Sequence, residues 1–387
     1  MTGLVGKNMS LNAAPKNENP IRVMVVDDSA VVRGLITRML EAHADIKVVS
    51  SVGNGKMAVD SLARNEVEVV VLDIEMPVMD GLTALPKMLE IDKDIRVIMA
   101  STLTSRNADI SLKALQAGAV DYIPKPSSSR ELSGGQDFGT ELIEKVHIHG
   151  EARRKAKGAP SVSVSRPRGI APRPAAPLQP KPVKEVKLRP RSLKERPDII
   201  AIGSSTGGAQ ALFNVLKGMH GKVRQPIVIT QHMPATFTKI LAEHINRMTG
   251  WPCQEASDGM LIQPGQVYLA PGDFHMTVEG SGPQKILKLN QNPPENFCRP
   301  AVDPMLRSVV ASYGRKVLTV ILTGMGSDGL KGGQVVVENG GDLIAQDEAT
   351  SVVWGMPGAV AQAGICSAVL PLDDISSYVV KAASGGV

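Results

Sequence analysis

The sequence predicts an α/β protein made of two doubly wound parallel-sheet domains, and three observations predict it. Short apolar runs alternate with amphipathic stretches through both halves, the pattern of strands covered on both faces by crossing helices. Residues able to do chemistry stand just past the ends of those runs, at the sheet edge where ligand crevices form. Between the halves lies a Pro-, Arg- and Lys-rich segment almost bare of large apolar side chains.

In the first half, strands are expected near 22–26, 47–52, 67–72, 96–100 and 120–123, separated by helical stretches. In the second, strands near 198–202, 227–230 and 317–322 alternate with helices near 209–217, 236–248 and 303–313. Gln266–Leu269 and Ile286–Leu289 read as an added antiparallel ribbon. The expected divisions are a disordered N-terminus (1–19), a first domain (20–150), a linker (151–196) and a second domain (197–387). The linker cannot bury enough apolar surface to fold, so it is expected to be a disordered, semi-extended spacer.

Composition fits this division. An apolar content of 43% over 387 residues is ample for two cores. The linker carries a net +11 against +5 for the whole chain, which leaves the rest near −6. The basic balance therefore belongs to the spacer and is poor evidence for nucleic-acid binding. With 3% aromatic residues and no helix-turn-helix pattern, a nucleic-acid-binding output is not expected. Cys253, Cys298 and Cys366 form no Cys-x-x-Cys pair and point to a reducing compartment. The first twenty residues are polar, and no run is long enough for a membrane span, so a cytoplasmic protein is expected.

The strand at 199–202 runs into Gly203-Ser204-Ser205-Thr206-Gly207-Gly208 and then a helical stretch. Small residues on both sides let a strand turn sharply into a helix, so Ser205 can project a nucleophilic hydroxyl. The amide of Thr206, at the helix N-terminus, is a natural oxyanion donor. A phosphate cradle is the competing reading, but neither the dinucleotide glycine pattern nor a Gly-Lys-Ser/Thr follows. A simple tight turn stays open on the motif alone.

The partners a serine needs stand at two further strand ends. Ile227–Ile229 leads to His232, and Val317–Leu322 leads to Asp328. A base must take the serine proton, and a carboxylate must fix the base's tautomer. Ser205, His232 and Asp328 supply those roles. His275 is the rival histidine; the strand-end position favours His232. Asp328 could also cap the following helix, which is compatible with a catalytic role.

A second site is expected near the amino end. Asp27 and Asp28 end one apolar run and Asp73 ends another, while Ser101 and Lys125 follow two more. Carboxylates gathered at adjacent strand ends repel one another unless a cation lies among them, and hard oxygen donors suit Mg²⁺. A hydroxyl and an ammonium converging there could hold a phosphoryl group.

Residues 20 to 145 closely resemble the receiver domain of response regulators. That resemblance implies a flavodoxin-like fold with Asp73 as phosphoacceptor. It implies Mg²⁺ held by Asp27, Asp28, Asp73 and the Glu75 carbonyl, and phosphoryl oxygens bound by Ser101 and Lys125. With the second half included, the chain resembles the chemotaxis-type protein-glutamate methylesterases, whose catalytic domain would be Rossmann-like. The family implies the Ser205, His232 and Asp328 triad, with the Met325 backbone N–H as an oxyanion donor beside Thr206. It implies methyl-ester hydrolysis and glutamine deamidation on methyl-accepting chemoreceptors at their cytoplasmic domains. It also implies control by a chemotaxis histidine kinase. No cofactor is expected in the catalytic domain, and a monomer is expected. The family often has Ala at Ser204, Asn at Ser327, and His-Arg-Pro-Ser-Val-Asp where this chain reads Cys298-Arg299-Pro300-Ala301-Val302-Asp303.

Overall fold

A computed structural model describes residues 19–102, 104–125, 136–158, 186–192, 195–280 and 282–386. Residues 1–18 of the expected disordered N-terminus and most of the expected linker lie outside the described residues. The chain divides into two compact units, one of residues 1–100 with 123–153 and the other of 101–122 with 154–387.

The first sheet has five strands, β1 (Ile21–Val26), β2 (Ile46–Val52), β3 (Val69–Asp73), β4 (Arg96–Thr102) and β5 (Asp121–Lys125), in the order β2-β1-β3-β4-β5. Strand β1 pairs in parallel with β2 and β3, and β3 with β4. Val-Val-Val-Leu-Asp in β3 is buried throughout, as β-branched residues covered on both faces should be. The first four helices are α1 (Ala30–Glu41), α2 (Gly55–Leu62), α3 (Gly81–Ile91) and α4 (Ser105–Gln116). Each starts where a capping side chain is available: Ser29, Asn54, Asp80 and Thr104 accept from the N–H groups of Val32, Met57, Thr83 and Asn107. The chain reverses its direction of winding between β1 and β3, so a crevice is expected over the carboxyl ends of those two strands.

Helix α5 (Gln136–Ala156) extends past the expected domain end at 150. Glu151-Ala152-Arg153-Arg154-Lys155-Ala156, read from sequence as the start of the spacer, are all good helix formers, and they continue the helix. Arg153 is buried and donates to the Val67 carbonyl and the Asp92 carboxylate. Near the other end of the expected spacer, the Arg189 N–H donates to the Cys366 carbonyl (2.9 Å) and Arg191 Nε to buried Asp342 (3.1 Å).

The second half opens with β6 (Ile199–Ser204), α6 (Gly208–Met219), β7 (Ile227–Gln231), α7 (Ala235–Thr249), β8 (Cys253–Glu255) and β9 (Val267–Leu269). A ribbon of β10 (His275–Glu279) and β11 (Ile286–Asn290) follows, then α8 (Val302–Tyr313) and β12 (Val317–Ile321). The chain closes with α9 (Leu330–Glu338), β13 (Asp342–Gln346), α10 (Met356–Gln362), β14 (Ala368–Leu370) and α11 (Leu372–Ala383). Seven of these strands form one sheet in the order β14-β13-β12-β6-β7-β9-β8, with every pair parallel.

The antiparallel ribbon is present, but its partners differ from those expected. Residues 286–290 pair with 275–279, whereas Val267–Leu269 joins the main sheet beside β7. All three residues of that segment are buried, which suits an inner parallel strand. Winding reverses at β6, which has β12 on one side and β7 on the other, so the loops after these three strands meet over one sheet edge. Among the described residues no helix is long and apolar enough to cross a membrane.

Candidate active site and acid pocket

Ser205 is the first residue beyond β6. Its N–H donates to the Thr323 carbonyl (3.0 Å), and its own carbonyl accepts from Gly208 N–H (2.7 Å) and Gln231 Nε2 (2.9 Å). The turn therefore ties the ends of β6, β7 and β12 together. Gly207, at φ +75°, makes the left-handed step into α6. A Cβ on Gly208 would lie 2.8 Å from Ser204 Cβ, and one on Gly324 would lie 2.9 Å from Ser205 Cβ, so both close approaches favour glycine.

The His232 N–H donates to the Ser204 carbonyl (3.1 Å), which fixes its backbone beside the serine turn. His232 Nε2 lies 2.8 Å from Asp328 Oδ2, and Nδ1 lies 3.4 Å from Cys298 Sγ. An ionised Asp328 assigns the hydrogen to Nε2 and leaves Nδ1 as the nitrogen able to accept a proton. Ser205 Oγ makes no hydrogen bond to His232 among the described residues. Catalytic contacts are often loose without substrate and tighten when it binds.

Asp328 is buried and well supplied with donors. Oδ1 accepts from Asn296 Nδ2 (2.8 Å), Asp303 N–H (3.1 Å) and its neighbour Gly329 N–H (3.0 Å). Oδ2 accepts from Val302 N–H (2.6 Å) as well as from His232. Burial alone pushes its pKa up, but the hydrogen bond and charge of His232 and the backbone donors outweigh it, and the net shift is downward. Burial likewise opposes a charged His232; the hydrogen bond to Asp328 and the contact with Cys298 prevail and lift its pKa to about 10.

Asp303 lies beside this pair and shifts the other way. Burial raises its pKa and the charge of Asp328 adds to that, against donors from Gly332, Asn296 and Gly329. The Asn296 amide bridges the two carboxylates, 3.0 Å from Asp303 Oδ2 and 2.8 Å from Asp328 Oδ1. Neither Asn296 nor Asp303 carried a catalytic signal in the sequence, and Cys298 stood out there only as a departure from the family pattern.

The amides of Thr206 and Met325, expected as oxyanion donors, donate to no other backbone group among the described residues. Thr206 is held by Thr323 Oγ1, which donates to its carbonyl (2.9 Å). His275 is a structural histidine. It is buried, its Nδ1 accepts from Ala301 N–H (3.2 Å), and its Nε2 donates to the Pro293 carbonyl (3.1 Å).

In the first sheet, Asp27, Asp28 and Asp73 gather over the β1/β3 reversal, each offering an oxygen within 4.8 Å of the others. Asp27 and Asp73 are buried; Asp28 is exposed. Lys125 Nζ reaches both buried acids, 2.5 Å from Asp27 Oδ2 and 2.7 Å from Asp73 Oδ1. Burial pushes the Asp73 pKa up and the Asp27 charge helps, against the opposing pull of Lys125.

The loop after β3 folds tightly back on its strand. A Cβ on Gly81 would lie 2.1 Å from the Asp73 carbonyl oxygen, and Val78 takes a positive φ of 70°. Glu75 is exposed in this loop. Ser101 follows Ala100, the β4 partner of Asp73, and its hydroxyl lies 3.1 Å from Ser111 Oγ. The three acids form an all-oxygen donor set, which fits a hard divalent cation of the Mg²⁺ type.

Comparison with known proteins places both halves. Residues 200–379 match the family described as CheB methylesterase, and residues 23–134 match the response regulator receiver domain. The protein-glutamate methylesterase/protein-glutamine glutaminase 1 of Paramagnetospirillum magneticum is 62% identical over 382 residues, covering 97% of this chain and 100% of that protein. Its namesake in Rhodospirillum rubrum is 61% identical over 374 residues, covering 94% of this chain and 96% of the relative. The crystal structure of the Thermotoga maritima CheB methylesterase catalytic domain is 40% identical and covers 48% of this chain and 98% of that one, with a TM-score of 0.47. Identity above 60% across nearly the full length of both partners shows that the chain belongs to the protein-glutamate methylesterase/protein-glutamine glutaminase family, with a response regulator receiver domain at its amino end.

Proposed function

We propose that the protein hydrolyses methyl esters on glutamate side chains of methyl-accepting chemoreceptors and deamidates receptor glutamines, under the control of phosphorylation at Asp73. The reading rests on one observation above the others. His232 is held through Nε2 by a buried, multiply bonded Asp328, and the serine turn lies at the neighbouring strand end.

In this mechanism Ser205 Oγ attacks the ester carbonyl carbon while His232 Nδ1 takes its proton. The carbonyl oxygen becomes an oxyanion facing the Thr206 and Met325 amides. Collapse expels methanol, protonated by His232, and leaves an acyl-serine. Water then attacks that ester with His232 again acting as base, which frees glutamate and restores Ser205. Asp328 stays ionised and steadies the imidazolium. With a glutamine side chain the same steps release ammonia.

In the receiver, Asp27, Asp28, Asp73 and the Glu75 carbonyl would hold Mg²⁺, which supplies charge neutralisation for phosphoryl transfer from a histidine kinase. Lys125 and Ser101 would bind the phosphoryl oxygens, and the carboxylate of Asp73 would accept the group. A phosphoryl group can change the catalytic rate only through a difference in its interactions between two states of the protein.

The test is incubation with radiomethylated receptor membranes, with and without a small-molecule phosphodonor, reading volatile methanol. Release by the wild type that Ser205→Ala abolishes supports the mechanism. Equal release by both proteins overturns it.

A further inference from the structure

Phe297 is a fully exposed phenyl ring on a chain with few aromatics, and the only aromatic among the exposed large apolar side chains of the described residues. It sits at the tip of a two-residue hairpin. Glu295 and Cys298 exchange both backbone hydrogen bonds (3.1 and 2.9 Å), and the central residues Asn296 and Phe297 both take positive φ, 52° and 63°. Such a turn favours Asn followed by Gly, and a bulky side chain at positive φ is a marked outlier. The chain therefore holds an apolar ring in water on an unfavourable backbone, a combination that clusters at ligand-contacting sites.

The base of the turn belongs to the catalytic site. Asn296 Nδ2 donates to Asp328 Oδ1 (2.8 Å), and Cys298 Sγ lies 3.4 Å from His232 Nδ1. Arg307 pairs with Glu295, the residue that opens the turn. Phe297 is thus one residue from a side chain that touches the catalytic base, on a pedestal tied down at three points. A glutamate side chain entering the site from a folded protein would bring its own backbone and flanking side chains past this tip.

We infer that Phe297 is a substrate-docking residue: its ring packs on an apolar side chain flanking the esterified glutamate of the protein substrate and so favours protein over small esters. The inference rests on the methylesterase reading above and adds a recognition element to it. Burying an exposed ring contributes uniform binding, so its loss should appear mainly in KM.

The experiment compares full-length wild type, Phe297→Gly and Phe297→Trp on two substrates: methylated receptor membranes and p-nitrophenyl acetate. Glycine relieves the positive φ, so Phe297→Gly should melt no lower than wild type, which removes misfolding as an explanation. The expected result is about a tenfold fall in kcat/KM on receptor for Phe297→Gly, carried by KM, with the small ester unchanged and Phe297→Trp close to wild type. An unchanged kcat/KM on receptor, or an equal fall on both substrates, overturns the docking role. If wild type itself releases no methanol from receptor, the methylesterase reading fails instead, and the two failures are told apart.

Discussion

The candidate catalytic site and the acid pocket share one device and differ in how their charges are matched. Each lies where a parallel sheet reverses its winding, at β6 in one sheet and between β1 and β3 in the other. In the catalytic site the negative group is answered by the chain itself: Asp328 has four donors besides His232. In the acid pocket three carboxylates gather, and among the described residues Lys125 pairs with the two buried ones. The charge of the first site is matched within the chain, and the acids of the second form an oxygen donor set suited to a divalent cation. The comparison teaches that one sheet topology can present either a carboxylate matched by the chain's own donors or a cluster of acids suited to a divalent cation, depending on which side chains stand at the strand ends.

The largest expected effect tests whether the catalytic site is self-contained. Ser205→Ala or His232→Ala should lower methanol release by about 10⁴-fold or more, because members of a triad act as a unit. Asp328→Ala should leave more residual turnover than either, since it acts through His232. Near-wild-type release from Ser205→Ala in the receptor assay would remove the serine mechanism.

Cation removal separates the two regions. EDTA should abolish stimulation by a phosphodonor while unstimulated turnover continues, because none of the proposed catalytic steps uses a metal. Asp73→Asn should give the same loss of stimulation with Mg²⁺ present. A parallel fall of the unstimulated and stimulated rates in EDTA would contradict the division.

A third effect concerns pH. The base must be unprotonated to act, and the His232 pKa is lifted to about 10, so kcat/KM should climb as pH rises from neutrality toward that value. Cys298 is one of the causes of the lift, after Asp328. Cys298→Ala should therefore move the alkaline limb to lower pH and raise activity at pH 7, about tenfold for each unit moved. A pH–rate profile that does not shift on this substitution would mean that the thiol does not tune the base.

The smallest effect is at Ser204, whose buried hydroxyl donates to Gln231 Oε1 (2.6 Å) rather than to the reaction. Ser204→Ala should keep turnover near wild type and lower stability by about 1–3 kcal/mol, the cost of leaving the glutamine oxygen unpaired. Thermal melting alongside the receptor assay measures both.

Much of this arrangement was legible in the sequence because strand ends are local signals. An apolar run followed by Ser205, His232, Asp328 or Asp73 marks a sheet edge without knowledge of strand order. What was not legible depends on distant pairing. Val267–Leu269 and Ile286–Asn290 are both short apolar runs, and only burial distinguishes an inner strand from a ribbon. Asn296 and Cys298 reach the His232–Asp328 pair from a hairpin whose closing bonds no local pattern announces. The end of α5 was missed for another reason. Its charged, strongly helix-forming tail resembles a spacer by composition, and buried Arg153 gains its anchors only once Val67 and Asp92 are in place.

The chain order of the proposed catalytic residues has a consequence during synthesis. Ser205 and His232 leave the ribosome well before Asp328, and β12, which places that carboxylate, is the strand against which β6 must pair. Domains tend to fold as units from the amino end as they emerge. The receiver sequence, with its acids and Lys125, is therefore complete before the hydrolase can exist. A nascent or prematurely ended chain therefore holds the receiver sequence without a complete methylesterase domain.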